Sequence, residues 1–138
     1  MSDLIQITCL WSGKLLYEHS EPGNTLLKTL ERAVAESADL YGAKLPEADL
    51  TGAQLQSAKL CGADLSGAKL MNAQLQHANL FGADLSDADL TGAVLNDANL
   101  SDVDFSYANL TDADLSRADL SDAVFDHAKL VRTKGLSL

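Results

Sequence analysis

Large side chains and positive charge are both scarce in this sequence. It contains 3 Phe, 3 Tyr and 1 Trp, so aromatics are 5% of 138 residues. Hydrophobic residues still reach 46%, and that share is mostly Ala and Leu. A conventional globular core would draw on more Phe, Tyr, Val and Ile. The core is therefore expected to be narrow and built from one repeated pair of side chains. Lys and Arg number 10 against 20 Asp and Glu, a net charge of −10. That speaks against direct nucleic-acid binding, which needs basic groups to release phosphate counterions, and against an anionic membrane surface. It fits solubility or a basic partner. Two cysteines, Cys9 and Cys61, lie far apart without CxxC or zinc spacing, so no disulfide framework is implied. No apolar run approaches the roughly 18 residues of a membrane span. The first residues, MSDLIQITCLW, lack the basic and apolar regions of a signal peptide. A soluble protein in a reducing, cytoplasmic setting is expected.

What the sequence has in abundance is repetition. From Leu40 to Leu130 every fifth residue is Leu, apart from Phe105 and Phe125. Two residues before each stands Ala, from Ala38 to Ala128, with Val103 the one exception. In a strand, residues two apart share a face. Ala and Leu therefore point inward, and the residue between them points out. Strict alternation would next turn Gly42, Glu47, Gly52 or His77 inward, yet these are turn and surface types. An odd period cannot continue as a flat strand, so each repeat must turn a corner. A helix fits badly, because five residues at about 100° each swing the Leu stripe by about 140° per repeat. One corner of about 90° per repeat closes after four, giving a 20-residue coil. A 20-residue period shows in the two departures from Leu, Phe105 and Phe125, and at positions outside the five-residue pattern: Gln54 and Gln74, Gly42, Gly62 and Gly82, and Ser66, Ser86 and Ser106. Residues 20 apart then stack about 4.8 Å apart. Asp, Asn, Ser and Thr near the corners are expected to bond local amides.

The motif A(D/N)LXX, as in Ala63-Asp64-Leu65-Ser66-Gly67 and Ala88-Asp89-Leu90-Thr91-Gly92, resembles that of the pentapeptide-repeat family. It covers 19 consecutive repeats, about two thirds of the chain. The resemblance implies an all-β solenoid, a right-handed quadrilateral β-helix of about five coils with a solid Leu/Ala interior. It implies a family that is mainly bacterial, cyanobacterial and phage, with few assigned activities. A subset protects or inhibits DNA gyrase and looks like duplex DNA in shape and charge.

Three segments are expected. Residues 1–37 form a cap: a hairpin over 4–19, in which Ile5, Ile7, Cys9 and Trp11 alternate and Ser12-Gly13 turns, then a helix with Leu27, Leu30, Val34 and Ala38 on one face and Asn24 or Thr25 as N-cap. Residues 38–132 form the β-helix. Residues 133–138 form a short tail holding Leu136 and Leu138, and no capping helix follows. An open apolar end invites the tail to fold back or a second copy to dock end to end.

Catalytic patterns are poorly represented. His19, His77 and His127 lie in separate regions, and GxSxG, GxxxxGK[ST] and HExxH are missing. The acid pairs lack calcium-loop spacing. No enzyme activity, cofactor or metal is therefore expected. Two surface features remain. Tyr41, Cys61 and Phe81 align in one column, either a stacking ladder beside the cap or an apolar docking stripe. Asp84, Asp87, Asp89, Asp97, Asp102, Asp104, Asp112, Asp114, Asp119, Asp122 and Asp126 are opposed within their stretch only by Arg117, before Lys129, Arg132 and Lys134 reverse the sign. Those acids give an axial density at least comparable to duplex DNA's one charge per about 1.7 Å. The functional expectation is a non-enzymatic structural or interaction module that takes a basic protein partner on this acidic stretch. The alternative is a DNA mimic acting on gyrase or another DNA-binding protein.

Overall fold

A computed structural model of the chain describes residues 1–137; Leu138, named above with the tail, lies outside the described residues. The chain returns to itself every 20 residues through parallel bridges on four faces. Face 1 stacks residues 39, 59, 79, 99 and 119, and face 2 stacks 44, 64, 84, 104 and 124. Face 3 stacks 49, 69, 89, 109 and 129, and face 4 stacks 54, 74, 94, 114 and 134. The bridging residue is the outward one between the two inward positions of each repeat, and Lys134, between Thr133 and Gly135, continues the series past the last Leu. Each inward Leu or Phe amide from Leu40 to Leu115 donates to the next level, as Leu65 N–H does to Asp84 O at 2.8 Å. The outward residue donates back, as Asp84 N–H does to Ala63 O at 2.9 Å.

The corners explain the odd period. At each one the amide of Ala donates to the carbonyl of the preceding Leu, as Ala73 does to Leu70 at 3.0 Å. From residue 42 to residue 132 the second turn residue always has φ between +55° and +68°. That is the left-handed residue of a type II turn. Glycine holds six of these positions, and residues as large as Tyr107, Arg117 and Arg132 hold others. Turn by turn, Ala and Leu are thrown inward, and those from Leu40 to Leu115 are all buried. Ala lets opposite walls approach, and Phe105 stacks on Phe125 with centroids 5.1 Å apart.

The N-terminal end is sealed by three devices. Strand β1, Asp3–Thr8, pairs antiparallel with β2, Leu15–Glu21. Cys9 and Trp11 stand outside β1, which differs from the alternation expected of residues 5–11. After Thr8 the chain leaves its partner strand and adds to face 2: Lys44 N–H donates to Thr8 O at 2.8 Å and Leu10 N–H to Gly42 O at 2.7 Å. The connection back to β2 is correspondingly longer than two residues, with Cys9 N–H donating to Lys14 O. Helix α1, Leu26–Ala35, lays Leu30 and Ala33 on the first coil. Thr25 is its N-cap, the hydroxyl accepting the Lys28 amide at 3.2 Å. Glu31 reaches down to accept the Gln54 amide of face 4 at 2.8 Å. The buried Asn24 ties hairpin to helix, donating to His19 O and to the Thr29 hydroxyl.

At the C-terminal end the ladder runs past residue 132 as far as Lys134, which bridges Asp114. Thr133 takes the place of Ala, and its hydroxyl donates to Leu110 O at 2.8 Å. Gly135 stands where Leu would be, and Leu136 folds in against the core. The last rung stays only half covered: Ala118, Leu120, Ala123, Phe125, Ala128 and Leu130 are partly exposed.

Two ion pairs clip successive levels. Arg117 is bidentate to Asp97, with both bonds at 2.7 Å, and Arg132 is bidentate to Asp112. All four are corner residues, so each clip joins vertically adjacent corners. The Arg117 guanidinium, with help from the Asn96 amide, holds the Asp97 carboxyl at about 2 against an ordinary 3.8.

Glycine tests the corner directly. A Cβ on Gly82 meets nothing within 4 Å, so Gly82→Ala isolates the backbone cost of φ +62°. That substitution is expected to destabilise by about 1 kcal/mol in denaturant melts. Gly135→Ala adds a collision with the Leu115 carbonyl and the Ser116 amide, so it should expel the tail and expose the last rung to hydrogen exchange. The Asp97 clip gives a pH test. Its folded pKa is depressed, so the contribution is complete above 3.8 and disappears as pH falls toward about 2. Asp97→Asn should therefore lower stability at neutral pH and flatten the loss between pH 4 and 2 in acid titrations followed by circular dichroism. An unchanged acid slope would show that the clip carries no stability.

Candidate functional site

Every outward Asp or Asn can do local work first. Asp84 Oδ1 accepts the Ser86 amide at 2.9 Å and the Ser86 hydroxyl at 2.6 Å. The same pair of bonds joins Asp64 to Ser66, Asp89 to Thr91 and Asp119 to Ser121, and Asn99 and Asn109 make it with Ser101 and Thr111. Asp104 and Asp114 accept the amides of Ser106 and Ser116. These side chains pin the approach to the corner, which is why Asp and Asn interchange there. The hydroxyls of Ser116 and Ser121 hold the Asp114 and Asp119 carboxyls below the usual range.

The structure does not gather the eleven acids of the sequence reading onto one surface. Asp89 lies on face 3, Asp114 on face 4 and Asp119 on face 1. Asp97 and Asp112 are neutralised by Arg117 and Arg132. The other six share face 2 and its two bordering corners. Asp84 and Asp104 stack on the face, Asp102 and Asp122 follow one corner, and Asp87 and Asp126 follow the other. Asp64 completes the stack from above. It was missed because it precedes the dense acidic stretch, although its offset of 20 from Asp84 is plain in the sequence. Along face 2 and its corners, Lys44 at the first level is the one Lys or Arg, and none of these seven carboxylates makes a salt bridge among the described residues.

Aromatic residues flank this acidic column. Tyr41, Cys61 and Phe81 stand in one column on the corner between faces 1 and 2. Trp11, from the hairpin connection, packs on Tyr41 with centroids 5.4 Å apart and lies over the corners of Gly42 and Gly62. Trp11, Tyr41 and Phe81 remain 62%, 52% and 44% exposed. Cys61 is half-buried, and burial pushes its thiol up. On the opposite border of face 2, Tyr107 is exposed and stacks on His127 at 4.9 Å. The ladder of Tyr41, Cys61 and Phe81 is thus extended by Trp11, whose place follows from β1 leaving its hairpin. His19, His77 and His127 are not brought together: His19 belongs to β2, His77 to the face 4 corner and His127 to the face 2 corner. No group of three or more His, Cys, Asp or Glu among the described residues is arranged to hold a metal.

Among solved structures, a pentapeptide repeat protein from the thylakoid lumen of Arabidopsis thaliana superimposes with a TM-score of 0.58 at 34% identity. The match covers 62% of this chain and 59% of that one, so the chain spans under two thirds of that relative. A pentapeptide repeat protein of the cyanobacterium Cyanothece 51142 matches at 28% identity over 52% of this chain and 56% of its own, with a TM-score of 0.30. HetL, a pentapeptide repeat protein involved in heterocyst differentiation regulation from Nostoc sp. strain PCC 7120, matches at 31% identity over 68% and 58%, with a TM-score of 0.17. No curated protein matches the chain. The family description "Pentapeptide repeats" matches residues 48–87, 83–122 and 98–134, together more than half of the chain. With its five-residue corners and four bridged faces, this chain belongs to the pentapeptide-repeat family, whose members form right-handed quadrilateral β-helices.

Proposed function

We propose that the protein is a non-enzymatic interaction module that takes a basic protein partner on face 2. The observation that carries this reading is the column of Asp64, Asp84 and Asp104, with Asp87, Asp102, Asp122 and Asp126 at its borders. Interfaces are enriched in exposed aromatics beside charged rims, and Trp11, Tyr41, Phe81 and Tyr107 supply them along the same two corners. The rigid ladder beneath means that docking orders little backbone, which favours affinity. The two free cysteines, Cys9 and Cys61, support a reducing, cytoplasmic setting.

A second reading concerns the class of basic partner. Seven carboxylates span three level spacings, about 14 Å, which is roughly one charge per 2 Å along a single face. Duplex DNA carries one per about 1.7 Å. A DNA-binding protein, gyrase included, is therefore a natural candidate partner, engaged by mimicry of the phosphate backbone.

The substitutions that test the proposal are built into the family motif. Asn at the outward position keeps the local acceptor, as Asn79, Asn99 and Asn109 do. The triple variant Asp64→Asn, Asp84→Asn, Asp104→Asn should keep the native circular dichroism while losing charge. Pull-downs from the native host should show a partner retained by the wild type and lost, or bound at least about tenfold more weakly, by the variant. Binding should also fall with added salt. Equal capture by both proteins would sink the proposal. Displacement of the partner by duplex DNA, or a change in supercoiling by purified gyrase, would separate the mimic reading from other basic partners.

A further inference from the structure

The corner between faces 1 and 2 repeats one shape down three levels, and the chain itself fills only the upper two. Gly42, Gly62 and Gly82 stack there with left-handed φ, preceded by Tyr41, Cys61 and Phe81. The Trp11 indole lies against the first two glycines. A Cβ on Gly42 would come within 2.7 Å of its Cζ3, and one on Gly62 within 2.8 Å of its Cη2. A Cβ on Gly82 meets nothing within 4 Å, so the third level is an open shelf. Beside it Phe81 is 44% exposed and pairs with no other ring among the described residues. The next two levels of this corner are Asp102 and Asp122, both exposed. Their backbones stand about 4.8 Å apart, and neither carboxylate makes an ion pair among the described residues. Two other corners balance their acids from within. Arg117 is bidentate to Asp97 and Arg132 to Asp112, each pair spanning one level. Gly82 stands one level above Asp102, the same vertical step, but brings no side chain to it.

We infer that the Gly82 shelf receives an arginine side chain of the basic protein partner. The inference rests on the reading of face 2 as the docking surface, and it adds the chemistry that the partner must present there. A guanidinium is planar, stacks on an aromatic ring and forks onto a carboxylate. The shelf offers bare backbone at Gly82, the ring of Phe81 and the carboxylate of Asp102, with Asp84 two residues on along face 2. Both halves of this contact already occur within the chain. Trp11 shows that the glycine corners accept a planar group, and Arg117 and Arg132 show that corner carboxylates take a guanidinium bidentately. An aromatic side chain from the partner would fill the shelf but leave Asp102 and Asp122 without a counter-charge. Lysine would bring the charge without the plane or the fork. Arginine alone answers both features.

Fluorescence anisotropy of labelled hexaarginine and hexalysine, titrated with the whole chain at low salt where screening is least, tests this. The wild type should bind hexaarginine at least about fivefold more tightly than hexalysine, the size of one stacked, bidentate contact. Phe81→Leu removes the ring from a half-exposed site, and Asp102→Asn removes the charge while keeping a residue that tolerates left-handed φ. Each should bring the two peptides toward parity while still binding hexalysine. Asp89→Asn removes the same charge from face 3 and should leave the preference intact. Should Phe81→Leu lose its native circular dichroism, Asp102→Asn decides alone. A wild type without arginine preference overturns the inference, and so does a preference that survives Phe81→Leu or Asp102→Asn. If both peptides still bind and both are weakened by the Asp64, Asp84 and Asp104 triple variant, that failure leaves the face 2 reading standing. Binding of neither peptide overturns both.

Discussion

Everything in this molecule depends on one turn hydrogen bond, from the amide of Ala to the carbonyl of the Leu three residues earlier. It closes only if the residue before Ala takes a left-handed conformation, and at 13 of the 19 corners that residue is not glycine. An isolated non-glycine residue there costs on the order of 1 kcal/mol. Such a cost repeated along the chain would unfold a short peptide. It persists because the corners of the inner levels are clamped from above and below by inter-level bonds, and because each turn through Leu115 buries one small and one large apolar side chain. Burying a Leu contributes roughly 1.5–3 kcal/mol. The local cost and the non-local gain share the same five-residue period, so the structure is consistent at each repeat.

The same constraint sorts the acidic residues into kinds. Outward Asp residues serve the turn, and Asn serves it equally well, as Asn99 and Asn109 show. Negative charge is therefore not what the fold asks of those positions. Corner acids are different again, because a side chain at the left-handed residue points away from the turn and is free to pair vertically. On the corners of Asp97 and Asp112 that freedom is used for Arg clips. At Asp87, Asp102 and Asp122 it is left unused. Face 2 is thus the surface where charge exceeds structural need.

Much of this architecture is legible in the residues themselves. The stacking of Phe105 on Phe125 and the return every 20 residues follow from period five and an inward pair. The position of an acid around the rod follows from its number modulo 20, a rule that places Asp64 with Asp84 and separates Asp89 from both. Read as a linear stretch, residues 84 to 126 look uniformly acidic, whereas folding deals them to four sides. The clips were legible by the same arithmetic, since Arg117 and Arg132 follow Asp97 and Asp112 by 20. The course of β1 was not. An alternating run such as Ile5, Ile7, Cys9 and Trp11 cannot say that its later half will pair with Lys44 instead of its own hairpin. That choice is made by the unpaired amides of the first coil, which exist only once the coil has formed.

The difference between the two ends is a consequence of strand chemistry. A coil offers the same kind of open edge above and below, so a cap must supply bonds as well as apolar cover. The hairpin and helix supply both, with Thr8 and Glu31 as acceptors and Leu30 and Ala33 as cover. The tail supplies cover through Leu136 and a partial ladder through Lys134, but leaves the amides of faces 1 to 3 open. Growth of the repeat can therefore proceed from the N-terminal seal, and each added level transfers the open edge downward without removing it. The last level inherits that edge, together with a rim divided between carboxylates and ammonium groups. Sequence variation at Asp122, Asp126 or Lys129 can still change what this edge accepts, because these side chains make no inter-level hydrogen bond or ion pair among the described residues.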